Sequence, residues 1–248
     1  MASNLAQAFI SSRPSAQDAR LLKRVFETLT PDSCPQSFNF HMHTVCSDGR
    51  LRPEVLMEQA IEIGLRGLAI TDHHTVEGYK RAQHWLEDWQ WKHPVSRVIP
   101  ESASDQMINS TPRLWTGVEI NANLLETSVH ILGYAFNPEH ESIRPYLRGY
   151  AVQGDSCQAQ QVIHAIQSAG GLAVLAHPAR YRKSLEDLIL AAADCGVDGV
   201  EAYYAYDNPS PWRSSPERTG RIERLAETYH LLSTCGTDTH GLSLLRRL

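Results

Sequence analysis

Short apolar runs alternate with longer amphipathic stretches over most of the sequence. The runs are short, rich in Val, Leu, Ile and Phe, and bounded by polar or turn-forming residues, so each predicts a β-strand. They are Phe38–His43, Gly67–Thr71, Leu114–Ile120, Val129–Phe136, Leu172–Ala176, Gly199–Tyr203 and Leu231–Cys235. Strands that alternate with helices at this spacing predict an α/β fold on a parallel sheet, either open or closed into a barrel.

The stretches between the runs place apolar residues at helical spacing and predict amphipathic helices. These are Pro53–Ile63, Glu77–Trp89, Ala159–Ala169, Leu185–Cys195 and Glu217–Tyr229. Gly64 and Gly196 stand just beyond two of them, where a left-handed helix end favours glycine.

Residues 1–36 precede this alternation, and we expect them to form an extension to a domain that spans residues 37–248. Ser15–Thr30 has helical spacing between Pro14 and Pro31, which predicts a helix on the outside of the fold without chemistry of its own. Trp91–Pro112 is rich in Pro, Ser, Asn and Asp, and predicts an irregular surface loop.

The composition of the chain limits the classes of protein to which it can belong. The chain has 248 residues, 42% hydrophobic and 21% charged, which is typical of a globular protein. A formal net charge of −5 argues against a broad nucleic-acid-binding or membrane-binding face, although it permits a local positive site. Five scattered cysteines without a CxxC pair, no apolar run of membrane-spanning length and no secretory signal predict a cytoplasmic protein with no membrane partner.

Histidine and acidic residues recur where the apolar runs end. In parallel α/β folds, functional sites form at the C-terminal edge of the sheet, so these side chains should converge there. The residues are His41 and His43 at the end of the first run and Asp48 beyond it, Asp72, His73 and His74 after the second, Glu119 in the third, His177 after the fifth, and Asp238 and His240 after the last.

The spacing within two of these motifs suits metal binding. Alternate residues of a strand face the same side, so His41 and His43 can hold one ion, and Asp238 and His240 repeat the arrangement. Imidazole and carboxylate ligands together favour zinc, manganese or iron over magnesium. A single His-x-His pair is usually unrelated to metal, but five such motifs at strand ends predict a metal site.

These segments resemble the PHP (polymerase and histidinol phosphatase) family, in the family's order, from about residue 38 to 241. The matching segments are HMHTVCSDG (41–49), LAITDHH (68–74), GVEI (117–120), VHILGY (129–134), AGGLAVLAHPARY (169–181), DGVEAYY (198–204) and GTDTHG (236–241). They are most similar to small bacterial nucleotide phosphoesterases and short-oligonucleotide exonucleases. The resemblance implies a distorted (β/α)7 TIM-like barrel with its metal site at the C-terminal rim of the strands.

The resemblance also implies two to three divalent ions, manganese, zinc or iron, held by nine side chains. The first metal would bind His41, His43, Glu119 and Asp238; the second would bind Asp48, His73 and a bridging Glu119; the third would bind His130, His177 and His240. His130 enters through the resemblance alone. Asp72 could hydrogen-bond a ligating imidazole.

The implied reaction is metal-dependent hydrolysis of a small phosphomonoester, such as a nucleotide, by a metal-activated water. The implied catalytic residues are Asp48, His73, Glu119 and Arg180. Arg180 and Arg50 are candidate phosphate clamps. Two alternatives remain open: an exonuclease acting on short oligonucleotides, and a non-catalytic regulatory module. A metal-dependent amidohydrolase is disfavoured because no lysine stands at a predicted strand end as a candidate for carboxylation.

Two features depart from the family pattern. His74 stands where the relatives commonly have Asp. The stretch 135–168 is too short for the inserted subdomain by which those relatives recognise nucleotides. The residues Tyr203, Tyr204 and Tyr206 follow a strand end and either line a substrate pocket or pack in the core.

Overall fold

Strands and helices alternate along most of the chain, which confirms the predicted α/β class. The computed structural model describes residues 15–93 and 111–248. The start of the predicted extension and most of the predicted loop Trp91–Pro112 therefore lie outside the described residues. Among the described helices, none has both the length and the apolar character that a membrane span requires.

The strands form where apolar runs were predicted, with shorter bounds. They are β1 (Phe38–Asn39), β2 (Gly67–Ala69), β3 (Arg113–Trp115), β4 (Gly117–Leu124), β5 (Thr127–Tyr134), β6 (Leu172–Leu175), β7 (Gly199–Tyr203) and β8 (Leu232–Cys235). The predicted strand Leu114–Ile120 is divided at Thr116, whose backbone N–H donates to Ala16 of the extension and not to a neighbouring strand.

The helices agree closely with their amphipathic stretches. They are α1 (Ala19–Phe26), α2 (Pro53–Ile63), α3 (Glu77–Lys92), α4 (Ala159–Ser168), α5 (Leu185–Asp194) and α6 (Pro216–Thr228). Asp18 caps α1 by accepting from the backbone N–H of Leu21, and Ser184 caps α5 by accepting from that of Asp187. Gly64 ends α2 at φ 81°, the left-handed conformation that glycine adopts at low cost.

The strands form two sheets. The first has three parallel strands in the order β1-β2-β3, and the second has five in the order β4-β5-β6-β7-β8. The expectation of an all-parallel sheet is wrong for β5, which runs antiparallel to both β4 and β6. The two-residue turn Leu125–Glu126, with φ of 51° and 59°, leaves no room for a crossover helix and produces a hairpin.

The two sheets meet through residues that follow β1, β2 and β8. Met42 forms a parallel bridge with Thr239, and His73 forms one with Glu119. Between β1 and β8, the Phe40 N–H donates to the Cys235 carbonyl at 3.1 Å. These backbone contacts bring the predicted ligand segments from both sheets to the same edge of the fold.

Helix α1 packs against the strands that carry the site. Leu22 and Phe26 are fully buried, and the Phe26 ring lies 5.0 Å from Phe40 and 5.6 Å from Tyr134 in edge-to-face contact. Burial of one such side chain contributes about 1.5–3 kcal/mol. The helix thus supports the β1 segment from which His41 and His43 project.

Candidate metal centre

The structure brings the nine predicted ligands together in three overlapping groups. The first is His41, His43, Glu119 and Asp238; the second is His43, Asp48, His73 and His240; the third is Glu119, His130 and His177. In each group the candidate ligand atoms lie within 4.8 Å of one another, close enough to share one cation. Strand-end segments of both sheets contribute to this cluster.

The first group is buried on all sides. The Glu119 Oε2 atom lies 3.1 Å from His41 Nε2 and 3.0 Å from His43 Nε2. The Asp238 Oδ1 atom lies 3.4 Å and 3.3 Å from the same two nitrogens. Two imidazole nitrogens and two carboxylate oxygens therefore face one point, the ligand number and type of a four-coordinate divalent site.

The second group lies on the open side of the cluster. The Asp48 carboxylate is 53% exposed, and its Oδ2 atom lies 3.1 Å from His240 Nε2 and 3.7 Å from His73 Nε2. The Nδ1 atom of His43 lies 3.4 Å from the other oxygen of Asp48. A substrate would reach the cluster from this side.

The third group uses the second oxygen of Glu119. The Oε1 atom lies 2.6 Å from His130 Nδ1 and 3.3 Å from His177 Nε2, whereas Oε2 faces the first group. One carboxylate thus serves two groups, the arrangement of a bridging ligand. The sequence-based grouping of His240 with His130 and His177 differs from the structure, because the His240 Nδ1 atom lies 2.8 Å from the Asp238 carbonyl and this contact holds the ring beside Asp48.

Two residues of the cluster adopt unusual backbone conformations. Asp238 has φ 53° and His177 has φ 27°, both in the left-handed region that non-glycine residues rarely adopt. Asp238 lies three residues beyond the end of β8, and His177 lies two residues beyond the end of β6. Such conformations cost free energy and persist where the surrounding structure fixes them, which is common at functional sites.

Glu201 on β7 orients two members of the cluster and was not assigned by the sequence analysis. It is fully buried; its Oε1 atom lies 2.9 Å from His41 Nδ1, and its Oε2 atom accepts from the backbone N–H of His177 at 2.8 Å. Donation by His41 Nδ1 leaves the Nε2 lone pair free for a metal. The available signal was an acidic residue inside the apolar strand Gly199–Tyr203.

Asp72 was expected to hydrogen-bond a ligating imidazole, but it holds a loop instead. Its Oδ1 atom accepts from the Thr44 N–H at 2.7 Å and from Ser47 Oγ at 2.6 Å, and its Oδ2 atom accepts from Thr44 Oγ1. Since this loop leads directly to Asp48, Asp72 positions the exposed carboxylate of the second group.

Asp238 is held in place by three donors on one oxygen. Its Oδ2 atom accepts from Tyr204 Oη at 2.7 Å, Arg247 Nε at 2.8 Å and Arg180 Nη1 at 3.0 Å. These contacts turn Oδ1 towards His41 and His43. Arg180 was a predicted phosphate clamp and Tyr204 a candidate for the substrate pocket, whereas Arg247 lies in no motif and was not predicted.

The remaining candidates lie outside the three groups. His74 is buried against β4, with Nε2 3.1 Å from Asn121 Oδ1, and Arg50 is exposed. Tyr203 donates to Glu223 at 2.9 Å, and Tyr206 accepts from the Ala179 N–H at 3.2 Å. Tyr203 and Tyr206 therefore hold neighbouring segments together, and only Tyr204 of the three tyrosines touches a predicted ligand.

Several buried polar atoms of the cluster make no hydrogen bond of acceptable geometry, although some of them lie close to another ligand atom. They are both ring nitrogens of His43, the Nδ1 atoms of His73, His130 and His177, and Glu119 Oε1. Unpaired buried polar atoms are costly and rare in folded proteins. Most of these atoms face other lone pairs across a short gap, and a divalent cation in the gap would satisfy them. The donor set therefore fits divalent metal ions.

Burial and the neighbouring carboxylates shift the pKa values of the histidine ligands in opposite directions. Burial lowers the pKa of His43, but the carboxylates of Asp238 and Glu119 outweigh it and raise that pKa to about 9. For His73, burial dominates and lowers the pKa to about 4. In the metal-free protein at neutral pH, His43 is therefore protonated and His73 is neutral.

Metal binding at pH 7 should release protons, because a cation must displace the proton of His43. We expect the apparent metal affinity to increase as the pH rises from 6 towards 9. Calorimetric titration of manganese in buffers of different ionisation enthalpy measures the proton count. An apparent binding enthalpy that is the same in all buffers would contradict the protonation of this group.

The chain matches the PHP domain family over residues 39–175. It is 26% identical to the 5′-3′ exoribonuclease Rnm of Salmonella typhimurium, over 82% of this chain and 85% of that protein. It is 24% identical to a phosphoribosyl 1,2-cyclic phosphate 1,2-diphosphodiesterase of Eggerthella lenta, over 82% of this chain and 94% of that protein.

Two solved structures are similar to this chain in fold. A candidate metal-dependent phosphoesterase from Bifidobacterium adolescentis superimposes with a TM-score of 0.62 and 25% identity, over 84% of this chain and 88% of that one. An amidohydrolase from Chromobacterium violaceum has the same TM-score at 18% identity, over 83% and 88%, and thus shares the fold. The family match, the relatives and the Bifidobacterium structure confirm the predicted class of metal-dependent phosphoesterase hydrolases. The chain belongs to the PHP domain family.

Proposed function

We propose that this protein hydrolyses phosphate esters at a centre of two to three divalent metal ions, with manganese, zinc or iron as the metal. The observation that carries the proposal is the set of buried, unpartnered ligand atoms in three groups that share Glu119. A structural role does not account for them, because hydrogen bonds within the cluster leave both nitrogens of His43 unsatisfied.

Two of the three proposed metal positions share Glu119 as a bridging ligand, and the positions otherwise use different side chains. His41, His43, Glu119 and Asp238 would hold the first ion; Glu119, His130 and His177 would hold the next, with Glu119 bridging. Asp48, His73 and His240 would hold the exposed ion. The Nε2 atom of His43 would bind the first ion, and its Nδ1 atom lies 3.4 Å from Asp48 Oδ1 on the side of the exposed ion.

The charges of the site favour a phosphate ester. Three carboxylates against three divalent ions leave a net charge of about +3, despite the formal charge of −5 on the whole chain. Bound ions supply Lewis acidity, which acidifies water and stabilises the charge on phosphoryl oxygens. Asp48 and His73 line the accessible side. Arg180, whose side chain is 40% exposed and lies beside Asp238, would donate to a phosphoryl oxygen.

The proposed substrate is a small phosphoester, with a nucleotide as the first candidate. A second candidate, a short oligonucleotide, is favoured by the exoribonuclease relative from Salmonella. That alignment runs over 274 positions but uses 82% of this chain, so the relative has stretches without a counterpart here. A non-catalytic regulatory role is disfavoured, because all nine ligand positions are filled and converge. The five unpaired cysteines support a cytoplasmic location.

We also propose that the two sheets form one distorted (β/α)7 TIM-like barrel in residues 37–248, with residues 1–36 as an N-terminal extension. Counting β3 and β4 as one strand interrupted at Thr116 gives the order β1-β2-β3/β4-β5-β6-β7-β8. The Met42–Thr239 and His73–Glu119 bridges join the sheets on both sides. Closure of this kind supports the assembly of all ligands at one rim.

Metal content and turnover test the proposal together. Elemental analysis of the purified protein should give two to three divalent ions per chain. Phosphate release should be measured on a panel of nucleoside monophosphates, nucleoside bisphosphates and short oligoribonucleotides, with manganese added. We expect the His177→Ala variant to lose at least a hundredfold in turnover, because it removes a buried ligand of the third group. His164→Ala, an exposed histidine of α4, is the matched control and should retain full activity.

The panel also separates the candidates. Preference for monophosphates or bisphosphates supports the nucleotide phosphatase, and release of nucleotides from oligomers supports the exonuclease. Stoichiometric metal with no turnover on any phosphoester would favour the regulatory module. A protein that takes up no metal after reconstitution would contradict the ligand assignments.

A further inference from the structure

Two guanidinium groups converge on a single carboxylate oxygen at the edge of the cluster. Arg180 follows β6 and donates through Nη1 to Asp238 Oδ2 at 3.0 Å. Arg247 comes from the segment 241–248 and donates through Nε to the same oxygen at 2.8 Å. The Tyr204 hydroxyl donates to that oxygen at 2.7 Å and lies 3.3 Å from Arg180 Nη1.

The charges at this point do not balance. One carboxylate faces two permanently charged guanidinium groups, and its other oxygen, Oδ1, is directed at His41 and His43. The side chain of Arg180 is 40% exposed and that of Arg247 is 19% exposed, so neither is sealed in the core. Each guanidinium group donates to Asp238 Oδ2 through one nitrogen, Nη1 of Arg180 and Nε of Arg247, and one carboxylate charge cannot neutralise both groups, which leaves positive charge available for an anion.

The segment 241–248 is anchored where it delivers Arg247 to the site. The backbone N–H of His240 donates to the Arg247 carbonyl at 2.7 Å, and Leu244 is fully buried. Gln59 of α2 accepts from the Leu244 N–H at 3.0 Å and donates to the Leu242 carbonyl at 3.0 Å. The backbone of Arg247 is thus held by His240 and by the anchoring of the preceding residues to α2, and its side chain is held by Asp238.

We propose that Arg180, Arg247 and Tyr204 form an oxyanion-binding subsite beside the metal centre, which takes a phosphate group of the substrate. The inference rests on the proposed phosphoesterase function and adds Arg247 as a substrate-binding residue. Asp238 has a double role. Its Oδ1 atom faces the proposed metal position, and its Oδ2 atom accepts from both guanidinium groups and so holds them beside that position. The planar donor forks suit a phosphate, which accepts two parallel hydrogen bonds from one arginine.

The test is binding of inorganic phosphate to the manganese-loaded protein, measured by calorimetry, together with KM, kcat and metal content. For Arg247→Ala we expect phosphate affinity to fall roughly tenfold to a hundredfold and KM to rise in parallel, with metal stoichiometry unchanged. Arg247→Lys keeps the positive charge but loses the planar fork of donors, so its phosphate affinity should lie between those of Arg247→Ala and the wild type. Arg246→Ala removes the same charge from an exposed neighbour in the same segment, and should behave like the wild type.

The outcomes separate this subsite from the proposed function. Equal phosphate affinity and KM in Arg247→Ala and the wild type would overturn the subsite, although turnover by both proteins would leave the phosphoesterase intact. Loss of metal from Arg247→Ala with unchanged KM in the remaining loaded fraction would also overturn it, since Arg247 would then only hold Asp238. A metal-loaded wild type that neither binds phosphate nor hydrolyses a phosphoester would refute both proposals.

Discussion

Replacement of Glu119 by glutamine is expected to reduce phosphoester hydrolysis by about a thousandfold or more. Glu119 belongs to two of the three ligand groups, and its two oxygens face different histidines at 2.6–3.3 Å. Glutamine keeps the shape but removes the negative charge, and it places an amide N–H₂ against one of these groups. The amide nitrogen is neutral but has no available lone pair, and its N–H hydrogens carry partial positive charge, so it cannot ligate a cation and at least one ion should be lost.

Elemental analysis and kcat/KM measure this effect side by side. We expect Glu119→Gln to bind at least one metal ion fewer per chain than the wild type. The control is Glu126→Gln, which makes the same change at an exposed position in the turn between β4 and β5. Full activity of Glu119→Gln with an unchanged metal count would show that the bridging assignment is wrong.

Replacement of Glu201 by alanine is expected to weaken metal binding about tenfold to a hundredfold, although Glu201 is not itself a proposed ligand. The variant leaves two buried donors without acceptors, the ring N–H of His41 and the backbone N–H of His177. It also frees the His41 ring to rotate or change tautomer. Removing one partner from such a buried contact costs about 3–5 kcal/mol, so the free energy of unfolding should fall as well.

Metal titration and denaturant unfolding test the two parts of this prediction. Glu223→Ala is the control: Glu223 accepts a hydrogen bond from the neighbouring Tyr203 but touches no proposed ligand, so it should leave metal affinity unchanged. Glu201→Gln retains one acceptor oxygen, so its metal affinity and its free energy of unfolding should lie between those of Glu201→Ala and the wild type. If Glu201→Ala binds metal as tightly as the wild type, then the orientation of His41 does not depend on this contact.

The sequence predicted the helices well and the strand pairing less well. Helix bounds follow from local periodicity and caps, so Pro53–Ile63 agrees at both ends with the observed α2. The antiparallel direction of β5 depends on the Leu125–Glu126 turn, which has no glycine or asparagine to signal it. Hairpin geometry there is imposed by pairing along the full lengths of β4 and β5, a contact that the local pattern does not encode.

For the site, residue type and strand position were sufficient to name eight of the nine ligands but not their partners, and the ninth, His130, came from the family resemblance. The sequence by itself determined that these eight His, Asp and Glu side chains would meet, because strand ends of an α/β fold share one edge. Only the tertiary structure decided that His240 lies with Asp48, that Asp72 holds a loop, and that Glu201 and Arg247 orient ligands. The physical reason is the separation of these residues along the chain. Periodicity shows which side of a strand a residue faces, which is a local property. The contacts above join residues far apart in the chain at distances near 3 Å, and only the packing of both sheets sets such distances.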